Sequence, residues 1–255
     1  MNTLNEGDRR MSFPVAILAG GMATRLRPLT ERIPKVLLDV GGKPFAVRQI
    51  ELLRGHGLKE IVFCLGFLGE QVQAILGDGS RWGVKLNYMF DGAQPLGTGG
   101  ALRKALPLLG GEFLVLYGDS YLECDYEAVI QAFKASGKAG LMTVFRNADR
   151  WDRSNVFFEN GSIRRYDKRL DSPEMEHIDY GLGVLRSSVL KAYPTDKSLD
   201  LAVIYQDLLA KNELAGFEVA QRFYEIGSPA GLEETRQYFA KAGCDQDDLH
   251  TTPPH

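Results

Sequence analysis

Short apolar segments alternate with helical patterns over residues 15–145, and this alternation constrains the fold more than any other feature of the chain. Continuous apolar runs predict buried strands, and apolar residues at helical spacing predict amphipathic helices. The predicted strands lie at residues 15–19, 60–65, 84–90, 113–117 and 140–145, and the predicted helices at 44–56, 70–76, 102–109 and 126–135. Strands that alternate with helices form a mostly parallel sheet with helices on both faces, so we predict an α/β fold.

The pattern changes after residue 145, where shorter strands and polar turns are predicted. The predicted elements are strands at residues 155–159, 162–166 and 178–185, a hairpin turn at 159–162, a helix at 201–209, a strand at 217–220 and a helix after Pro229. No Pro/Ser-rich linker divides the chain. We therefore expect one domain over residues 13–242 that combines the parallel sheet with an antiparallel portion, and flexible tails at 1–12 and 243–255.

Composition excludes several classes of protein. The 255 residues carry a formal net charge of −3 without basic runs, which argues against a nucleic-acid partner. No apolar run reaches the roughly 18 residues that a membrane span needs, and the start of the chain is polar. We therefore expect a cytoplasmic protein with no membrane partner. The three cysteines lie far apart, which predicts reduced thiols and neither disulfides nor a structural zinc site.

A glycine-rich loop, with Gly20 and Gly21, follows the first predicted strand. Glycines at the end of a strand let the backbone approach a ligand, and their N–H groups can bind phosphate oxygens. Arg25 and Lys35 bring positive charge to the same end of the sheet. The loop has neither Walker nor GxGxxG spacing, which disfavours a Rossmann dehydrogenase. These residues predict a site for a phosphorylated ligand.

Residues 19–36 read AGGMATRLRPLTERIPKV, which resembles the signature AGGxGTRLxPLTxxxPKP of the sugar-phosphate nucleotidylyltransferases. Ala23 and Val36 depart from the signature without removing a charge. Further motifs follow in the family's order: PLGTGG at 95–100, YGD at 117–119 and EIGSP at 225–229. The resemblance covers most of the chain. It implies a Rossmann-like three-layer sandwich with a mostly parallel sheet and a smaller antiparallel sugar-binding portion.

The resemblance also implies a reaction, in which a sugar 1-phosphate oxygen attacks the α-phosphorus of a nucleoside triphosphate and pyrophosphate leaves. Such a reaction requires positioned cations rather than an activated side-chain nucleophile. Arg25 would hold the departing pyrophosphate and Lys35 the α-phosphate. Asp119, at the end of a predicted strand, offers a hard oxygen ligand for Mg²⁺ and completes the expected catalytic set. Glu225 stands where the family has an aspartate as second metal ligand.

Substrate-binding residues are implied in the same way. The nucleotide would contact Leu18, Ala19, Gly20, Gly21, Arg25, Lys35, Gly92, Gly97 and Thr98, and the sugar phosphate would contact Asn155, Asp167, Lys168, Asp179 and Gly181. Thymidylyl- and uridylyltransferase-like members carry glutamine where Gly92 stands, so we expect backbone groups to read the base. The run at 97–101 is most similar to the heptose and mannose guanylyltransferase-like members. That similarity favours a GDP-heptose or GDP-mannose product and leaves UTP, CTP and dTTP as alternatives.

A function of another class stays open, because a fold can be kept without its activity. A nonenzymatic sugar-nucleotide sensor or regulatory subunit would share the same architecture. Retention of Arg25, Lys35 and Asp119 favours catalysis. Ala23 and Glu225 depart from the family's motifs, and these departures keep the sensor as an alternative function. The sequence also leaves a homodimer open.

Overall fold

The computed structural model describes residues 13–170, 172–195 and 197–247. The tails predicted at residues 1–12 and 243–255 lie outside them, except that the backbone of 243–247 continues the last helix. The strands are β1 Val15–Ala19, β2 Asp39–Val40, β3 Lys43–Pro44, β4 Glu60–Leu65, β5 Lys85–Phe90, β6 Glu112–Tyr117, β7 Ser120–Leu122, β8 Gly140–Arg146, β9 Val156–Glu159, β10 Ser162–Tyr166, β11 His177–Arg186, β12 Leu214–Val219 and β13 Phe223–Glu225. The helices are α1 Phe45–Gly55, α2 Gly69–Leu76, α3 Gly97–Leu109, α4 Tyr126–Ser136, α5 Ser187–Lys191, α6 Leu201–Ala210 and α7 Pro229–Asp247. Among these described helices, none is long and apolar enough to cross a membrane.

One nine-stranded sheet organises the described part of the chain, with the order β10-β9-β11-β6-β1-β4-β5 and with β8 joining β11 to β12. β1 pairs in parallel with β4 and β6, and β4 pairs in parallel with β5. β11 runs antiparallel to β6 and β8, and β9 forms an antiparallel hairpin with β10. The predicted α/β class is confirmed, and its antiparallel portion extends the same sheet.

Helices cover both faces of this sheet, as the apolar strands predict. Successive side chains of a strand point to opposite faces. Val15 and Ile17 of β1 pack in a core with residues of α1, α2 and α4, whereas Ala16 packs in a second core with residues of α3, α5 and α6. All three side chains are fully buried. The result is a three-layer sandwich in which β1, an interior strand, ends at the glycine-rich loop.

The sequence did not predict two short strands that bear on the site. β7 and β13 contain three residues each and form a separate antiparallel ribbon that pairs Ser120 with Glu225. A segment of three residues is too short to give a recognisable alternation of apolar and polar positions. The helix predicted at 102–109 begins earlier, at Gly97. The apolar pattern did not predict its first turn, because that turn consists of glycine and threonine rather than apolar residues.

Candidate active site

The carboxyl ends of the parallel strands converge at the glycine-rich loop. The Gly118 N–H donates to the Leu18 carbonyl at 2.9 Å, joining the ends of β6 and β1. A Cβ at Gly118 would stand 2.6 Å from that carbonyl oxygen, so the two strands can meet this closely only with glycine there. Open α/β sheets bind their ligands outside this edge. The tight junction fixes Asp119, the next residue, at the same edge.

A cavity of about 330 Å³ opens at this edge. Its lining contains eight of the predicted nucleotide and catalytic residues: Leu18, Ala19, Gly20, Gly21, Lys35, Gly97, Thr98 and Asp119. Six more residues, which were not predicted to contact a substrate, also line it: Met22, Cys64, Asp91, Pro95, Ala101 and Tyr117. Two predicted nucleotide contacts, Gly92 and Arg25, are absent from this lining. Asp91, the neighbour of Gly92, lies there instead, and Arg25 lines the second cavity described below.

The PLGTGG motif places its glycines against a neighbouring segment of chain. A Cβ at Gly97 would stand 2.6 Å from the Leu199 carbonyl oxygen, and the Gly99 N–H donates to the same oxygen at 2.8 Å. The Thr98 hydroxyl donates to Asp200 and accepts from the Leu201 N–H at 2.8 Å, at the start of α6. The motif therefore holds the cavity wall formed by the start of α3 against α6.

Lys35 and Asp119 form an ion pair in the cavity, with Nζ and Oδ2 2.6 Å apart. Lys35 begins a 3-10 turn, Lys35–Leu37, directly after Pro34. The two side chains are 17% and 32% exposed, so solvent screens their attraction only in part. The structure thus brings together a cation suited to phosphate and a carboxylate suited to a metal ion, although they lie 84 positions apart in the sequence.

Arg25 reaches the same region from a short turn with a strained backbone. The 3-10 turn Thr24–Leu26 follows Ala23, which has left-handed φ and ψ values of 47° and 44°. A residue with a Cβ pays about 1 kcal/mol for this conformation, which explains why glycine suits the position. The Thr30 hydroxyl donates to the Ala23 carbonyl at 2.8 Å and holds the turn. Alanine is therefore accommodated without loss of the loop.

A second cavity, of about 400 Å³, adjoins the first and shares Tyr117 and Asp119 with it. Seven predicted site residues line it: Arg25, Asp119, Asn155, Lys168, Asp179, Gly181 and Glu225. The lining also contains Ser120, Asp152, Arg153, Ile178, Tyr180 and Phe223. Asp167 is not part of it, since its carboxylate instead accepts from the N–H groups of Arg169 and Leu170 in the adjacent turn.

Asp179 is the half-buried polar centre of this second cavity. Its Oδ2 accepts hydrogen bonds of 3.1 Å from the hydroxyls of Tyr117 and Tyr166, and its Oδ1 accepts from the Gly181 N–H. The Asp179 N–H donates to Asn155 Oδ1 at 2.9 Å. Burial raises the pKa of the Asp179 carboxyl, and Lys168 opposes that rise. Three of the predicted sugar-site residues, Asn155, Asp179 and Gly181, therefore form one hydrogen-bonded group.

Glu225 faces Asp119 and also interacts with the start of α7. Its carboxylate accepts from the N–H groups of Gly227 and Ser228 and from the Ser228 hydroxyl. Glu225 Oε2, Asp119 Oδ2 and Arg25 Nη2 lie 2.9, 3.1 and 3.2 Å from the point where a Cβ of residue 227 would stand. The three predicted groups thus converge beside Gly227, where any side chain would intrude.

The donor set around Asp119 fits a divalent metal only in part. Carboxylate oxygens suit hard cations, which take about six oxygen ligands. Across the residues that the structure describes, no three His, Cys, Asp or Glu side chains come together to hold a metal ion. Asp119 and Glu225 could supply two ligands, so a bound metal would need its remaining oxygens from phosphate and water.

Sequence reasoning missed Asp91 and Tyr117, although one signal was available. Both lie at the carboxyl ends of predicted strands, Asp91 directly after β5 and Tyr117 as the last residue of β6. The carboxyl ends of parallel strands meet at one edge, so polar residues at each of those ends were candidates. Arg153 carried no such signal, because the loop that brings it to the second cavity follows the antiparallel strand β8.

Comparisons with known proteins show the family to which the chain belongs. The family model "Nucleotidyl transferase" matches residues 15–155. The N-acetylmuramate alpha-1-phosphate uridylyltransferase of Neisseria meningitidis is 31% identical over 228 residues, covering 86% of this chain and 95% of that protein. The mannose-1-phosphate guanyltransferase of Hypocrea jecorina is 25% identical, covering 93% of this chain and 67% of the relative. The structure of HddC from Yersinia pseudotuberculosis with GMP-PN superposes with a TM-score of 0.74 at 25% identity, covering 89% of this chain and 99% of that one. With more than half of its length matched by the family model, the chain belongs to the nucleotidyl transferase family.

Proposed function

We propose that this chain transfers a nucleotidyl group from a nucleoside triphosphate to a sugar 1-phosphate and releases pyrophosphate. The observation that carries the proposal is the junction of two cavities at Asp119 and Tyr117. The glycine-rich loop and Lys35 line the first cavity, and Arg25 and Lys168 line the second. A reaction between two phosphorylated substrates requires two such adjoining sites with cations beside both.

The chemistry follows from the charges at this junction. A phosphate oxygen of the sugar 1-phosphate forms a bond to the α-phosphorus, and the bond from the α-phosphorus to the bridging oxygen of pyrophosphate breaks. Lys35 stabilises charge on the α-phosphoryl oxygens, and Arg25 holds the departing pyrophosphate. Lys168 neutralises the incoming sugar phosphate, and Asp179 and Asn155 orient sugar hydroxyls. These groups place two anions in line and offset their repulsion.

Mg²⁺ is the divalent ion we propose for this site, held by Asp119 and Glu225 together with phosphate oxygens. When bound, it would neutralise charge on the phosphates and orient them. The preference for Mg²⁺ rests on the all-oxygen donor set, which suits a hard cation.

Two pairs of substrates have specific support. A guanine nucleotide with heptose or mannose 1-phosphate is favoured by the run at 97–101, by the Hypocrea relative and by the Yersinia neighbour, whose solved complex holds GMP-PN. Uridine triphosphate with N-acetylmuramate 1-phosphate is favoured by the Neisseria relative, which this chain covers over 95% of its length. We propose the guanine nucleotide and keep the uridine nucleotide as the second candidate.

Three further predictions remain part of this proposal. Residues 13–242 form a single domain, the protein acts in the cytoplasm where nucleoside triphosphates are available, and a homodimer is the assembly that the sequence leaves open. Light scattering of the purified chain, with and without residues 243–255, measures both the assembly and the dispensability of the tail.

The deciding experiment is pyrophosphate release with Mg²⁺. GTP, UTP, CTP, dTTP and ATP are each paired with the 1-phosphates of heptose, mannose, glucose and N-acetylmuramate, and each is also tested alone. Release that requires both substrates supports the transferase and identifies the pair. Nucleotide binding without release from any pair would contradict the proposal and favour a nonenzymatic sensor.

A further inference from the structure

Asp91 lies at the edge of the first cavity that is distant from Asp119. It follows β5 directly, whereas Asp119 follows β6, and the sheet order β6-β1-β4-β5 puts three strand spacings between them. Neighbouring strands lie about 4.8 Å apart, so these two strand ends are about 14 Å apart. Lys35 and Asp119 mark the end suited to phosphates. Asp91 therefore marks the end where the base of a bound nucleotide would lie.

The walls near Asp91 suit a flat, uncharged ring. Leu18, Cys64, Pro95 and Ala101 line the same cavity. Burial, with a smaller contribution from Asp91, raises the pKa of the Cys64 thiol to about 12, so this wall stays neutral at physiological pH. A nucleobase inserted there would contact mainly apolar atoms, and the Asp91 carboxylate would be a charged acceptor at its edge.

The fold holds this carboxylate in place. Asp91 Oδ2 accepts from the Leu96 N–H at 3.2 Å and lies 3.4 Å from the position of a Cβ at Gly20. Lys104 Nζ donates to the carbonyls of Phe90 and Asp91, at 2.7 and 3.1 Å, and so fixes the backbone that carries the side chain. Burial raises the pKa of the Asp91 carboxyl, against the effects of the Leu96 N–H and Lys104. A half-buried carboxylate is stabilised by additional hydrogen-bond donors.

A carboxylate accepts hydrogen bonds and donates none, and each of its oxygens has two lone pairs. Guanine presents two adjacent donors, N1–H and the N2 amino group, which match the two oxygens of one carboxylate. Uracil presents a single N3–H between two carbonyl oxygens, and those oxygens repel a carboxylate. Adenine and cytosine each present one amino group beside an acceptor nitrogen. We propose that Asp91 selects guanine by accepting from its N1–H and N2 amino groups.

The inference rests on the proposed function, because it assumes that the first cavity holds a nucleoside triphosphate. It is tested by equilibrium binding, which does not depend on knowing the sugar. The ligands are the Mg²⁺ complexes of GTP, UTP and inosine triphosphate, which keeps N1–H and lacks the N2 amino group. Wild type is compared with Asp91→Asn, whose amide oxygen can still accept from the Leu96 N–H.

We expect wild type to bind GTP about 10- to 100-fold more tightly than inosine triphosphate, the effect of one hydrogen bond to a charged group. Asp91→Asn should lose most of that difference and gain relative affinity for UTP, because an amide offers one donor and one acceptor. Asp78→Asn is the matched control, since Asp78 also accepts from a loop N–H, at Ser80, but does not line the cavity. Unchanged melting temperatures would exclude unfolding as the cause.

Two results would overturn the inference: wild type binding UTP as tightly as GTP, or Asp91→Asn keeping the preference of GTP over inosine triphosphate. Failure of the proposed function is a separate outcome. Tight GTP binding that depends on Asp91, without pyrophosphate release from any sugar 1-phosphate, would keep the base assignment and remove the transferase. Release from UTP alone would keep the transferase and remove the base assignment.

Discussion

Lys35 Nζ and Asp119 Oδ2 lie 2.6 Å apart, so each side chain already has a partner with which a bound substrate or metal must compete. An incoming phosphate competes for the lysine, and a divalent metal competes for the aspartate. Each ligand that binds one member frees the other to bind the second ligand. The pair therefore favours joint binding of nucleotide and metal over binding of either alone.

The first prediction concerns this pair. Lys35→Ala and Asp119→Ala should each lower kcat by at least about a hundredfold, because each removes a group that stabilises charge on the phosphates. Lys43→Ala is the control, since Lys43 and Glu51 form an exposed ion pair of similar length, 2.7 Å, outside both cavities. Steady-state pyrophosphate release measures the effect. Near-normal turnover of either site variant would contradict the assigned roles.

Asp179 gives a second prediction, on stability as a function of pH. Burial raises its pKa above the ordinary value of 3.8, so the folded chain holds this proton more tightly than the unfolded chain does. The contribution of Asp179 to the free energy of unfolding therefore falls as pH rises from about 4 through the raised pKa, and it stays low above that pKa. Asp179→Asn cannot ionise. The variant should gain stability relative to wild type as pH rises across this window, while its KM for the sugar phosphate rises about tenfold.

Urea unfolding at a series of pH values measures this difference. Asp207→Asn is the control, because Asp207 also accepts from a tyrosine hydroxyl, that of Tyr193, but lines neither cavity. A stability difference between Asp179→Asn and wild type that does not change with pH would contradict the assignment.

Charged residues that stand in recognisable motifs were predictable from the sequence, and residues whose role depends on the order of the strands were not. Arg25, Lys35 and Asp119 stand in recognisable motifs, and the structure brings them together. Asp91 stands one residue before Gly92, which the sequence predicted to contact the nucleotide. Its importance depends on which strand lies beside which, and strand order cannot be read from local patterns.

At the scale of elements, the loop between β8 and β9 lines the second cavity and is held from outside by one arginine. The Arg222 guanidinium lies 4.4 Å from the ring centre of Trp151, in this loop, and 4.5 Å from that of Tyr224. Its two terminal nitrogens donate to the two carboxylate oxygens of Glu234 on α7, at 2.9 and 2.8 Å. The arginine thereby joins the loop, β13 and α7 into one unit.

The third prediction follows from this contact. Arg222→Lys keeps the charge but loses the planar group that stacks and the paired hydrogen bonds. Asp152 and Arg153, which follow Trp151, should then be held less firmly, and the KM for the sugar phosphate should rise about three- to tenfold with the KM for nucleotide unchanged. Arg186→Lys is the control. Arg186 also lies over an aromatic ring and pairs with a glutamate, but it is the last residue of β11, at the other end of that strand from Asp179. Equal changes in both KM values would show that Arg222 acts on general stability instead.

Long elements with a strong period were predictable, and the short ones that bear on the site were not. The strand 60–65 and the hairpin at 159–162 lie where the apolar pattern and the turn residues predicted them. The ribbon of β7 and β13 has too few residues to show a period, yet it brings Glu225 beside Ser120. Its stability comes from pairing across more than a hundred residues of chain, which is a property of the whole fold.

At the scale of the whole molecule, the proposed metal site would be incomplete without substrate. Asp119 is paired with Lys35, and Glu225 accepts hydrogen bonds at the start of α7. Two occupied carboxylates supply far fewer oxygens than a hard cation needs, and the described residues offer no third ligand of this kind nearby. If the proposed site holds a metal, a bound triphosphate would therefore supply most of the coordination, and it would also draw Lys35 away from Asp119.

This arrangement predicts how ligands stabilise the whole protein against heat. Mg²⁺ alone should leave the Tm unchanged, whereas Mg²⁺ with the preferred nucleoside triphosphate at about 100 times its Kd should raise it by about 5–10 °C. The nucleotide with a chelator should give a smaller rise, because its phosphate charge is then opposed by protein cations only. Asp119→Asn should keep that smaller rise and lose the increment due to Mg²⁺, which separates metal binding from nucleotide binding.

A Tm increase with Mg²⁺ alone would mean that the protein holds a complete metal site before substrate arrives. The Lys35–Asp119 pair would then be no obstacle to metal binding, and the joint binding inferred from it would be wrong.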